Sequence, residues 1–413
     1  MAVLRHPRAP AVLLVIGILA DIFLFVRPHT AGDVGLYHQY ATNFWFGVPP
    51  FHALPAEYPP LALLTFTLTL LPPVHDYAIV FAIWMGAVLC LGVWAIRRVE
   101  GRDTAIAAGV YLAIGAFGTV LARFDLVPSM VALAALWLAY RRRWGWASAL
   151  LAIGFLLKLY PIIWLPLVII EQWRTQGKFS WRPLIVFVSI VGLGMSAAAM
   201  LSPDRWLSPF EYAMARPPQV ESIEASLLWL ASGFGVAAHA TQSFHSRNIV
   251  SVLASPFSVI ATATMIIGNG WIYLRHVQGK LTLYRAALAC LLLTVMMNKV
   301  LSPQYFIWIL PLVAIVEGLN WRWVLICVLT SAIYPFLYLF NVLSFGAMSP
   351  GTYGPLFAGP IVLRNALLIY AFVRVVRPRA SSLRIIVPRE SDAALRSGFA
   401  GVETPRLDWQ DRS

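Results

Sequence analysis

Charge is what this 413-residue chain has least of. Asp, Glu, Lys and Arg make up 12% of it, against 60% hydrophobic residues, where a soluble globular domain carries about 25% charged residues. The shortage excludes the two or three soluble domains that length alone would suggest, and leaves a polytopic membrane protein. Cysteine is scarce too. Cys90, Cys290 and Cys327 stand far apart inside apolar runs, so they offer neither a zinc-ligand spacing nor a disulfide framework. They read as small buried hydrophobes. No Gly-rich nucleotide fingerprint follows an expected strand. No Asp-x-Asp pair stands in the first long loop, so no metal site is expected. No internal repeat is evident, which weighs against an inverted-repeat transporter.

Long apolar runs are what the chain has instead. A helical span needs about 20 apolar residues, fewer where a bundle buries it. Runs of this kind fall near 10–27, 77–96, 104–121, 125–140, 146–157, 160–171, 182–201, 249–274, 283–297, 304–319, 322–343 and 357–375. The expected fold is an all-α bundle of about 11–13 transmembrane helices, with amphipathic helices in the first outer loop. The N-terminal run resembles a signal peptide but has no convincing small-x-small cleavage site, and Asp21 interrupts it. It reads as an uncleaved first span. Residues 60–73 end at Pro72-Pro73 and read as a short re-entrant or interfacial helix. With the N-terminus cytoplasmic, only eight of the 31 Lys and Arg fall outside the cell, as the positive-inside rule requires. The net charge of +13 is then a topology signal and an attraction for anionic lipid, and nucleic acid is not needed to explain it. Residues 1–377 form the membrane domain and 378–413 a polar cytoplasmic tail.

Two long outer loops remain, near 28–76 and 202–248, and the acids outside the cytoplasm call for explanation, because ionisable groups near a bilayer are costly and usually functional. Asp33 follows the first span in Ala-Gly-Asp-Val-Gly-Leu-Tyr, and Tyr37, Tyr40, Phe44 and Trp45 recur after it at helical spacing. That pattern predicts an amphipathic helix on the membrane surface. Asp33 is either the N-cap of that helix or a general base at the water boundary. Glu57 precedes Tyr58-Pro59-Pro60, where a proline starts the next helix and the carboxylate sits near its positive end. Arg123-Phe124-Asp125 forms the shortest outer turn, Lys158-Leu159-Tyr160-Pro161 tips a short hairpin, and Lys299 and Ser302-Pro303-Gln304-Tyr305 stand at another outer end. Each of these alone reads as a snorkelling cation or a helix cap. Together they place Arg123, Lys158 and Lys299 on the face that carries Asp33, which suits a phosphate-linked lipid and a sugar.

The order of these motifs resembles that of the GT-C membrane glycosyltransferases. A first span, then Asp-x-x-x-Tyr (Asp33, Tyr37), Gly-Val-Pro-Pro, Glu-Tyr-Pro-Pro-Leu, Arg-x-Asp, Lys-x-Tyr-Pro and Ser-Pro-Gln-Tyr is similar to the polyprenol-phosphate-mannose-dependent α-mannosyltransferases of the phosphatidylinositol-mannoside type, in glycosyltransferase family 87. The likeness covers roughly residues 10–340. The extra prolines and His52 in Gly-Val-Pro-Pro-Phe-His-Ala-Leu-Pro-Ala-Glu-Tyr-Pro-Pro depart from the pattern and bear on acceptor contacts.

The resemblance implies transfer of a hexose, mannose in the first instance, from a polyprenyl-phosphate sugar to a glycolipid or glycan on the extracytoplasmic side, with inversion. It implies Asp33 as the catalytic base and no cofactor, the lipid-linked sugar being a substrate. On the residues' own chemistry, Lys158, Arg123 and Lys299 would hold the leaving phosphate. Glu57 and Asp125 would position sugar hydroxyls, or Asp125 would orient Arg123. Tyr37, Tyr58, Tyr160, Gln304 and Tyr305 would contact sugar or acceptor. A flippase or transporter of lipid-linked sugars, a ligase moving a whole glycan, and a noncatalytic assembly subunit are the competing readings. Among intramembrane groups only Asp21 would serve a transporter.

Overall fold

The computed structural model describes residues 32–52, 57–71, 76–338 and 355–377. The first expected span with Asp21, and the tail from 378, lie outside the described residues. What is described is almost wholly helical. Helix α1 (Asp33–Trp45) and helix α2 (Pro60–Leu68) follow the first expected span. Pro60 sits at the first position of α2, where its missing N–H costs nothing. Helix α3 (Tyr77–Glu100) opens on Asp76, whose carboxylate accepts the Ile79 amide at 3.1 Å. Then come α4 (Arg102–Gly115), α5 (Leu126–Tyr140), α6 (Trp144–Leu157), a 3₁₀ turn at Tyr160–Trp164, α7 (Leu165–Gln176) and α8 (Arg182–Leu201). The second outer loop folds as α9 (Ser208–Ala215), α10 (Ile223–Ser232) and a hairpin of β1 (Ala238–Ser243) and β2 (Ser246–Ser251). The chain returns through α11 (Ala254–Val277), α12 (Leu283–Met296), α13 (Phe306–Glu317), α14 (Trp321–Ser331) and α15 (Pro355–Val376).

Among the described residues, four helices are long and apolar enough to cross a membrane: Tyr77–Glu100, Arg182–Leu201, Ala254–Val277 and Ala358–Val376. This is a membrane protein. The other expected spans that fall within the described residues are shorter helices, and burial accounts for the shortness of the innermost ones. Helix α12 buries nearly every side chain from Leu283 to Met296, and α13 buries Phe306 through Ala314. A helix apolar all round belongs inside a bundle. Helix α8 does the opposite: Ile185, Val188, Leu193 and Met200 face outward, which hydrocarbon tolerates and water does not. It packs against α6, where Gly194 leaves so little room that a Cβ there would stand 2.6 Å from Leu156 Cδ1. Of the cysteines, Cys290 and Cys327 are buried as expected, whereas Cys90 is exposed on α3.

The hairpin is the clearest departure from the sequence reading. The expected span 249–274 starts instead at Ala254, and residues 246–251 pair antiparallel with 238–243. Strand β2 is polar apart from Ile249 and Val250, so it has no apolar face to sink into lipid. Its two-residue turn, Phe244-His245, holds both residues at positive φ (52° and 51°), as a turn matched to strand twist requires. Neither is glycine, so the turn carries backbone strain.

Candidate active site

The first helices stack on the bundle through aromatic rings. Tyr37 lies flat on Phe66 with ring centroids 4.3 Å apart, and its hydroxyl meets that of Tyr58 at 3.1 Å. Phe124 closes edge-on against Tyr58 and Phe66 at 5.2 Å each. This docking fixes the end of α1, and there Asp33 is not a cap. The N-cap is Gly32, and no side chain caps the helix. The Asp33 carboxylate reaches across to the guanidinium of Arg123, with which it forms an ion pair.

Asp33 and Arg123 both line a cavity of about 220 Å³. Glu57 lines it as well. Its carboxylate is approached at 2.8 Å by the Tyr212 hydroxyl, which also lies 2.9 Å from the Phe244 carbonyl, so one proton serves two acceptors. Burial, and then the neighbouring Glu57 charge, push the Tyr212 phenol above its ordinary value, so it remains a donor. Gln304 is the fourth expected residue on this wall.

The remaining expected residues fall beside the cavity rather than on it. Lys158, at the end of α6, sets its ammonium 2.9 Å from Asp125 Oδ1. That ammonium also lies over the rings of Tyr58 (4.8 Å), Phe124 (5.2 Å) and Trp308 (5.4 Å). Asp125 is fully buried and accepts the Trp308 indole N–H at 2.9 Å. Of the two roles expected of Asp125, orienting Arg123 is therefore not met: the pairs are Asp33 with Arg123 and Asp125 with Lys158. The two-residue spacing of Arg123 and Asp125 in a tight turn sends their side chains to different neighbours. Tyr160 and Tyr305 both stack on Trp308, at 4.4 and 4.2 Å, and Tyr37 and Tyr58 belong to the aromatic base described above. Lys299 donates to the Met214 carbonyl at 3.1 Å, while its own carbonyl accepts the Gln219 amide at 2.8 Å. It fastens the segment after α9.

That fastened segment supplies what the sequence reading missed. Residues 218–220 bond to β2 through Ile249 N–H to Pro218 O (2.8 Å) and Val220 N–H to Arg247 O (3.0 Å). Arg216, Gln219 and Glu221 are thereby brought to the cavity with Gln242 and Arg247 of the hairpin. Glu221 is 1% exposed and pairs with the fully buried Arg364 at 3.0 Å, while Tyr338 donates to its other oxygen at 2.9 Å. Burial raises the Glu221 carboxyl above the ordinary value, and Arg364 pulls it back. Arg216 and Glu221 are visible in the sequence as outer charges, but nothing local joins them to Asp33. Among the described residues no three His, Cys, Asp or Glu side chains gather as they would around a metal ion.

A cavity rich in arginine, carboxylate and amide groups, beside an aromatic base and at one end of an apolar bundle, can bind a molecule that is part sugar and part phosphate. Comparison with curated proteins gives no match. A family model described as glycosyltransferase family 87 matches residues 57–303, a stretch that holds Glu57, Arg123, Lys158, the Arg216–Glu221 segment, the hairpin and Lys299. Asp33 lies ahead of it. The match covers more than half of the chain, which therefore belongs to glycosyltransferase family 87.

Proposed function

We propose that this membrane glycosyltransferase moves a hexose, in the first instance mannose, from a polyprenyl-phosphate sugar to a hydroxyl of a glycolipid or glycan on the extracytoplasmic face. The observation that carries the reading is the placement of Asp33: a helix-borne carboxylate, not used as a cap, paired with Arg123 on the wall of a polar cavity. In the reaction Asp33 takes the proton of the acceptor hydroxyl. The acceptor oxygen forms its bond to the anomeric carbon from the face opposite the departing group, the bond from that carbon to the phosphate oxygen breaks, and polyprenyl phosphate leaves with the electron pair. One inversion results. Charge grows on the leaving phosphate, so fixed cations lower the barrier. Arg123 is the expected cation that lines the cavity, whereas Lys158 pairs with Asp125 and Lys299 with the Met214 carbonyl. Glu57, held by Tyr212, is placed to bind a sugar hydroxyl.

General-base catalysis supplies about 10²–10⁴-fold, so Asp33→Asn should lose about that much turnover in vesicles given polyprenyl-phosphate mannose, with expression unchanged. Near-normal transfer by this variant would remove Asp33 from the chemistry. Offering labelled mono- and diphosphate donors side by side separates a glycosyltransferase from a ligase of whole glycans.

A further inference from the structure

A second hollow, of about 420 Å³ against about 220 Å³ for the polar cavity, lies toward the other end of the bundle. Its size is that of a ligand site. Arg123 and Gln304 stand just before α5 and α13, whereas this cleft is lined by Trp137 and Ile315 near the far ends of the same helices. Helix α3 lines it from Val88 to Glu100, and α12 contributes Tyr284. At Gly92, α3 and α5 touch so closely that a Cβ would stand 2.5 Å from Met130 Sδ. Beyond that contact Ala95 and Ala134 are too small to fill the space between the helices. Apart from Arg98, Glu100 and Tyr284 the lining is apolar or tryptophan. Leu91, Trp94 and Val99 are exposed on its lip, a surface that suits hydrocarbon and not water. The polar groups gather where α3 ends. Arg98 lies over Trp94, 5.4 Å from the ring centroid, and forms no ion pair among the described residues. Glu100 is engaged by the Tyr284 hydroxyl at 3.3 Å. Tyr140, whose ring is 5.8 Å from that of Tyr284, brings the following Arg141-Arg142-Arg143 to the same end. With Arg97, Arg98 and Arg102 that makes six arginines against two acids, Glu100 and Asp103. An apolar cleft between helices with a basic rim complements a lipid whose head group is anionic.

We infer that this cleft seats one acyl chain of an anionic phospholipid from the leaflet opposite the polar cavity, with the phosphate held at Arg98. The site takes no part in the proposed reaction and stands or falls apart from it. A polyprenyl-phosphate donor fits it less well. From Leu126 to Trp137 helix α5 rises about 17 Å, so a donor phosphate reacting at the polar cavity cannot also meet Arg98. The bound chain fills the gap that Ala95 and Ala134 leave and adds packing contacts between α3 and α5.

The test places the full chain in phosphatidylcholine nanodiscs doped with phosphatidylglycerol that carries a photoreactive acyl chain, and maps the crosslinked peptides. Crosslinks should concentrate in residues 88–99 and 130–137. Unlabelled phosphatidylglycerol should compete for them, and undecaprenyl monophosphate should not. The same photoreactive chain on phosphatidylcholine should label these peptides no more than it labels the outward face of α8. Arg98→Gln should weaken competition by phosphatidylglycerol about fivefold, the worth of one arginine beside an anionic head group. Ala95→Trp, at an exposed position, should fill the cleft and abolish its crosslinks while α8 stays labelled and the unfolding midpoint in detergent is kept. Five results would each overturn the assignment: equal labelling by the phosphatidylcholine probe, even labelling over all lipid-facing helices, unchanged competition in Arg98→Gln, crosslinks that persist in Ala95→Trp, or displacement by undecaprenyl monophosphate, which would give the cleft to the donor's tail. Absence of crosslinks in the wild type would do the same, because something other than this lipid then fills the cleft.

Discussion

Replacing Lys158 by methionine decides whether that cation serves the phosphate or the fold. Its ammonium is 2.9 Å from Asp125, a carboxylate with no exposed surface. With the ammonium gone, Asp125 keeps only the Trp308 N–H at 2.9 Å, and its second oxygen has no partner among the described residues. Breaking a buried pair on one side costs about 3–5 kcal/mol, whereas replacing both members with apolar residues is neutral or stabilising by about 1–4 kcal/mol. The ring contacts of Lys158 do not add separately, because one charge serves all three. Lys158→Met and Asp125→Asn should therefore each lower the unfolding midpoint of the detergent-solubilised protein sharply, and Lys158→Met with Asp125→Leu should restore it. The double-mutant cycle should give a coupling of about 3 kcal/mol or more. If Lys158→Met instead unfolds like wild type and binds undecaprenyl monophosphate poorly, the lysine faces the donor and the structural account of the pair is refuted.

The same logic applies to Arg364, whose loss strands Glu221. Arg364→Met should cost about 3–5 kcal/mol, seen as a lowered unfolding midpoint, and adding Glu221→Gln should return much of it; no drop in the single variant would refute the pairing. Tyr37, Tyr58 and Tyr212 all hold their protons more tightly than an ordinary phenol, chiefly through burial. An unfolded tyrosine titrates near about 10, so above that pH the folded chain binds more protons than the unfolded one, and stability must fall as pH rises. Unfolding midpoints measured from about pH 9 to about pH 11 should decline, and less steeply in Tyr212→Phe; parallel slopes in the two proteins would remove Tyr212 from the account.

The helices were legible because apolar runs are long and their ends are marked by Pro, Gly and arginine clusters. Pro60 and Gly177 stand where the rules for starts and stops put them. The hairpin was not legible, since Ile249 and Val250 abut the apolar run that follows and a short polar strand has no period of its own to show. For the site, Asp33, Arg123, Glu57 and Gln304 were identifiable as acids, cations and amides at outer turns. Their meeting in one cavity is a tertiary fact. Arg216 was visible as one of the outer cations and Gln219 carried no signal; their place on the cavity wall depends on backbone bonds to β2 and on Lys299, residues distant in sequence. Lys158 and Asp125 were each visible as out-of-place charges, but nothing local revealed that they would answer one another.

The brevity of the innermost helices sets a depth. At 1.5 Å per residue, the fourteen residues of α12 run for only about 21 Å, whereas the hydrocarbon slab is about 30 Å thick. Helices α5 and α13, which open just after Arg123 and Gln304, are as short, at fifteen and twelve residues. These two lining residues of the cavity thus stand at the ends of rods shorter than a hydrocarbon slab is thick, and a ligand anchored in that slab would have less distance to rise.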